Sequence, residues 1–240
     1  MNFELDARSL EAVLALASVT VGFIAYWFIS QSAIMENYFS ARYPNPDKQI
    51  LYFVLFQRYM GVVFLGILPI IIMMIFAGKS WADYGVKIPE SFETLWWILG
   101  LVSLVIPINY LNAKKADNLL VYPQIRSKYW TIKVFVHEYS SWIAYLLAYE
   151  LLFRGFLLFS VYRVAGAWTA MLVNVAIYAI AHVPKGQKEA VGAIPLGMLL
   201  SYLTLKTGDI WIAVVVHIAL ALSNSFFSFL AQPAMYYKKK

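Results

Sequence analysis

The chain has 240 residues, 62% of them hydrophobic and 13% charged, and its mean hydropathy is +0.67. No ordinary soluble domain of this size is so apolar, so the composition points to a multi-spanning membrane protein. The net charge of +6 does not indicate a nucleic-acid partner, because the basic residues flank apolar segments and form no stripe; the lack of cysteine excludes disulfides, thiolate chemistry and Cys-ligated metals.

Windows of about 20 residues, the length that crosses a bilayer, pick out seven apolar segments. The first, 10–30, exceeds the ~7–15-residue core of a signal peptide and shows no small-residue cleavage site, so a retained helix is expected. Pro44-Asn45-Pro46-Asp47 breaks the chain before the second segment, 51–77. The third, 94–112, leads into the longest and most basic loop, Ala113 to Lys133, where Lys114, Lys115, Arg126, Lys128 and Lys133 face Asp117 alone. Segments 136–159, 166–183, 190–206 and 209–231 complete the chain. The fourth is long enough to begin with an interfacial helix, which leaves seven or eight spans open. The expectation is an all-α integral membrane protein, one domain over 1–240, with its helices around a polar intramembrane cavity. Trp96, Trp97, Trp130, Trp211 and the Tyr236–Tyr237 pair fall near span ends, as anchors among membrane lipids should.

Alternation with the basic loop in the cytoplasm puts twelve basic residues on the inner side and five on the outer. That bias predicts the N-terminus out and the C-terminus in. Short loops fit a bacterial inner membrane.

Ionisable residues inside spans are costly and ordinarily face a protein interior or a wet cavity. Glu150 and Arg154 are four apart, so on a helix they share a face and can pair. His182 and His217 add two imidazoles, from two further segments, that could hold a water, act as a base or donate to an oxyanion. A His/His/Glu set is chemically adequate for zinc, but His137-Glu138 is not followed by the second His of HExxH. No metal or cofactor is therefore expected. Arg58 could snorkel, pair with a carboxylate or meet a headgroup, and the sequence does not choose.

From about Ala148 to Ser225 these residues resemble the CAAX protease and bacteriocin-processing family of glutamic intramembrane endopeptidases. Its first motif is a Glu–Glu pair, three residues, then Arg; here Tyr149-Glu150-Leu151-Leu152-Phe153-Arg154 stands there, followed by Gly155. Its second is an aromatic residue four before a His, matched by Tyr178 and His182. Its third is a His four before Asn or Asp, matched at His217 but occupied by Ala221 at the second position. The motif-bearing region spans about 130–231.

The resemblance implies hydrolysis of a membrane-associated peptide or protein. The first Glu and the second-motif His would activate a water, while the third-motif His and Asn would stabilise the oxyanion. Glu150, His182 and His217 are the catalytic candidates, with Arg154, Tyr149, Tyr178 and Glu189 supporting them. Tyr149 and Ala221 alter two of the four chemical positions: a phenol is a poor base at neutral pH, and losing one oxyanion donor costs ~10²–10³ in rate. Glu150 points ~100° away from Tyr149 around a helix, Glu189 could reach the cavity if its loop folds back, and Asn224 lies ~10 Å beyond His217. A pseudoprotease that binds a partner is the alternative. An enzyme should bring Glu150 or Glu189 within reach of His182, whereas in a pseudoprotease Arg154 should consume Glu150.

Overall fold

Every apolar segment forms a helix, and the polar connections mark its ends. The computed structural model describes residues 6–239. Helix α1 (Ala7–Ser30) starts where the Asp6 carboxylate accepts the Ser9 N–H at 2.7 Å. The short α2 (Ala33–Arg42) buries no residue. Asn45 caps α3 (Pro46–Phe76) by accepting from the Lys48 N–H at 3.1 Å, and Pro46 takes the first turn, where its missing N–H costs nothing. Next come α4 (Glu93–Asn112) and the small α5 (Ala116–Val121) within the basic loop. Helix α6 (Ile132–Glu150) passes through a π-helical stretch, Leu151–Leu157, into α7 (Leu158–His182). Helices α8 (Gln187–Thr207) and α9 (Trp211–Ala231) follow.

Among the described residues, six continuous helical runs are long and apolar enough to cross a membrane, one of them 54 residues long, from Ile132 to Lys185. At ~1.5 Å per residue that run far exceeds a ~30 Å hydrocarbon core. It is a hairpin. Gly166 has φ 79 and ψ 174, a conformation closed to other residues in practice, and the chain reverses there. The returning arm runs back along the outgoing one: Asn174 bonds the Phe153 carbonyl, and the Tyr178 ring lies 5.8 Å from that of Tyr149. The described residues therefore make seven crossings, matching the seven segments.

Contacts sort the connections into two ends, as that alternation requires. At one end, Arg163 meets Glu11 and the Asp83 carbonyl, and Trp211 Nε1 donates to the Lys87 carbonyl at 2.7 Å. At the other, the Lys128 N–H donates to Asp47, Gln232 donates to the Leu119 carbonyl, and Lys188 pairs with Asp117. Strands β1 (Tyr129–Trp130) and β2 (Tyr236–Tyr237) also pair there, in parallel. Lys240, one of the inner cations, lies outside the described residues.

Leu152, Phe153, Phe156 and Leu157, around the π segment, are fully buried and centre the main core. Helix α3 packs close to α6 through Gly61, where a Cβ would overlap the Tyr145 ring. Helix α4 leans mainly on α9 and turns Trp96, Leu99, Leu104 and Leu111 outward, as a lipid-facing helix should.

Arg58 is resolved as a buried partner of Glu138. Arg58 Nη1 lies 2.8 Å from Glu138 Oε2 and also donates to Ser141, while Nη2 donates to Gln124 at 3.1 Å. Glu138 Oε1 accepts from Trp142 Nε1 and Ser225 Oγ, and the Trp142 ring lies 4.2 Å from the guanidinium. One ion pair thus ties α3, α6, α9 and the basic loop. Arg58→Ala or Glu138→Ala should each cost about 3–5 kcal/mol by stranding the other charge, whereas Arg58→Met with Glu138→Leu should recover most of the loss. Thermal unfolding of the purified variants measures both.

Candidate active site

The π stretch begins directly after Glu150 and includes Arg154. Its wider turn leaves a carbonyl to be satisfied from outside, and Asn174 on the returning arm donates to the Phe153 carbonyl at 2.5 Å. Ser201 on α8 donates in turn to Asn174 Oδ1 at 3.2 Å. Three helical segments are locked around the turn that carries Glu150 and Arg154.

Glu150 is fully buried between a cation and an imidazole. Its Oε2 lies 3.4 Å from Arg154 Nε, the i,i+4 pair expected from the spacing. Its Oε1 lies 2.5 Å from His217 Nδ1. Against a carboxylate Nδ1 carries the proton and donates, which leaves the His217 Nε2 lone pair available. Arg154 has no hydrogen-bond acceptor among the described residues; its charge rests instead over the Tyr178 ring, 4.2 Å from the centroid.

His182 uses its Nδ1 in the same way. That nitrogen lies 2.8 Å from the Tyr178 carbonyl, so the N–H donates there and Nε2 is again the basic atom. The two imidazoles are 6.5 Å apart, centroid to centroid. Glu150 and His182 thus converge on one region, through His217.

Both histidines line one cavity of about 590 Å³, together with Tyr178, Ala221, Asn224, Lys185 at the turn after α7, and Lys188 and Glu189 in the first turn of α8. That size suits a short peptide segment. Glu189, which pairs with Lys185 at 4.0 Å, reaches this cavity, and so does Asn224. Tyr122 on the same wall has its pKa raised, first by burial and then by the nearby Glu189 carboxylate, so it stays a neutral phenol. Among the described residues no three His, Asp or Glu side chains converge as a metal-ligand set.

No carboxylate hydrogen-bonds His182 among the described residues; the carboxylate of Glu150 goes to His217 instead. Tyr149 packs beside both imidazoles, its ring 6.2 Å from His182 and 5.9 Å from His217 and nearly perpendicular to both. Its hydroxyl is sealed from solvent and has no partner among the described residues.

A family model described as Rce1-like, type II CAAX prenyl endopeptidase, matches residues 133–223. Those residues carry the Rce1-like pattern. The match agrees with the expected resemblance over that part of the chain. Comparison with curated proteins gives no match, and comparison with solved structures gives none either.

The sequence pattern locates Glu150, Arg154, His182 and His217 but not the residues that pin them. Asn174 and Ser201 escape it, although an Asn and a Ser within apolar spans are the kind of polar outlier that marks a helix contact. Because the Tyr149 hydroxyl has no partner to lose, Tyr149→Phe should leave the thermal midpoint unchanged or slightly higher. Asn174→Leu should lower stability by about 1–3 kcal/mol by orphaning the Phe153 carbonyl. Parallel melts of the two variants test the contrast.

Proposed function

We propose that the chain acts, as one helical membrane domain, as an intramembrane endopeptidase on a membrane-associated peptide or protein, with His217 as general base and Glu150 as its orienting carboxylate. The observation that carries this reading is the 2.5 Å contact between Glu150 and His217 at the wall of a cavity that His182 also lines. His217 Nε2 takes a proton from water, and the oxygen attacks the scissile carbonyl. Glu150 balances the imidazolium that forms, and Arg154 keeps Glu150 ionised in its dry surroundings. The same proton then passes to the departing amine. His182 Nε2 is a second acceptor that holds the water, while Asn224, one turn beyond Ala221, offers an amide to the substrate backbone. Tyr178 fixes the ring of His182 and the charge of Arg154.

Two features favour a second reading, in which the cavity binds a partner without cleaving it. Tyr149 sets an aromatic ring beside both imidazoles where the motif has a carboxylate, and Ala221 supplies no donor. Cleavage of membrane-anchored peptides by protein in proteoliposomes separates the readings. For an enzyme, Glu150→Ala, His182→Ala and His217→Ala should each lower the rate by about 10²–10⁴, and Ala221→Asn should raise it. An inactive native protein that gains activity from Tyr149→Glu with Ala221→Asn would establish the binding reading.

The cavity mouth, with Lys115, Lys185 and Lys188, belongs to the more basic end, so we place it and the C-terminus in the cytoplasm of a bacterial cell. Because the chain has no cysteine, single introduced thiols give a clean test. In sealed inside-out vesicles a membrane-impermeant maleimide should label Lys188→Cys and spare Lys79→Cys; the reverse pattern inverts the topology.

A further inference from the structure

The C-terminal tail returns to the mouth of α6 by main-chain pairing. The Tyr236 N–H donates to the Lys128 carbonyl at 2.9 Å, and the Lys238 N–H donates to the Trp130 carbonyl at 2.8 Å. This register brings two ammonium groups to one ring: Lys128 Nζ and Lys238 Nζ each lie 5.4 Å from the Tyr129 centroid. Lys133, in the first turn of α6, and Lys239 follow these two lysines closely along the chain and are exposed. None of these four lysines forms a salt bridge among the described residues. Asp47 is the neighbouring carboxylate; its Oδ1 accepts the backbone N–H of Lys128 at 2.7 Å, and it forms no salt bridge with these lysines. Two ammonium groups on one ring against a single carboxylate leave an excess positive charge, which an anion would neutralise.

The layering around the patch identifies that anion. Ile132 and Val136, at the start of α6, are 66% and 57% exposed and belong in hydrocarbon. Tyr129, Tyr236 and Tyr237, about half exposed, sit at the level where the span ends, and the lysines lie beside them. Apolar side chains, then phenols, then ammonium groups is the order of acyl chain, interface and headgroup. We propose that β1, β2 and the flanking lysines form a binding site for the phosphodiester headgroup of an anionic phospholipid, which the pairing of the tail with the basic loop assembles. The site is independent of the peptidase reading and of which leaflet is cytoplasmic.

The test uses the full chain in nanodiscs of zwitterionic lipid doped with phosphatidylglycerol, with retained lipid counted by native mass spectrometry. Lys128→Gln with Lys238→Gln should weaken retention on the order of tenfold or more. The same exchange at Lys79 and Lys87, at the opposite end, should not. Tyr236→Pro removes the N–H that holds the tail yet keeps every lysine, and should weaken retention similarly. Equal retention by native protein and the lysine variant would overturn the site. Undiminished retention by Tyr236→Pro would overturn the role of the pairing. Displacement by inorganic phosphate at matched concentration would mark a free-anion site and overturn the lipid assignment.

Discussion

Hydrocarbon offers no water to a charge, so each ionised group within the spans must bring its own partner. Three carboxylates, Glu11, Glu138 and Glu150, have no exposed surface, and each joins parts of the chain that are far apart in sequence. Glu11 meets Ser160 and Arg163, Glu138 meets Arg58 and Ser225, and Glu150 meets His217. Apolar faces alone discriminate poorly between helix neighbours in lipid, because a lipid tail is as good a contact as a leucine. The polar fasteners therefore select the arrangement of these helices, and the site is built from one of them.

The two buried acid–base pairs differ in how fully they are satisfied. Both oxygens of Glu138 have hydrogen-bond donors, and the guanidinium of Arg58 reaches a carboxylate, a hydroxyl, a backbone carbonyl and an amide. Such saturation leaves little capacity for chemistry. Glu150 has one hydrogen bond and one looser ion pair, and Arg154 relies on the Tyr178 ring for its remaining support. Under-satisfied groups of this kind concentrate where function needs polarity that is not yet committed. The contrast sets a saturated pair beside an uncommitted one within a single bundle.

Much of this was legible from residue patterns. Seven windows of apolar residues give seven crossings because the bilayer fixes the length, and Glu150, Arg154, His182 and His217 stand out because hydrocarbon tolerates few such groups. What was not legible depends on pairing across distance. Glu138 sits near the start of the fourth segment, where an interfacial place is equally natural, so nothing local assigns it to Arg58, 80 residues earlier. Partner choice fails for the same reason at Glu150: helical spacing gives Arg154, but only the packing of α9 against the hairpin gives His217. The π stretch at Leu151–Leu157 is also invisible locally, since its sequence is an ordinary apolar run and Asn174 on another arm accompanies it.

A phenol at Tyr149, where the motif it resembles has a carboxylate, is consistent with the charges buried around it. Glu150 and Arg154 already balance, with one carboxylate against one guanidinium. A second carboxylate at 149, next in sequence to Glu150 and close to the same guanidinium, would leave an excess negative charge in a buried place, which only a protonated imidazole or added water could offset. The phenol avoids that cost and packs its ring against both imidazoles. A charge-balanced pair beside an aromatic ring is satisfied without added water, whereas a double-carboxylate site is more dependent on water. Restoring a carboxylate at Tyr149 therefore changes hydration as well as chemistry, and its effect on activity and its effect on stability should have opposite signs.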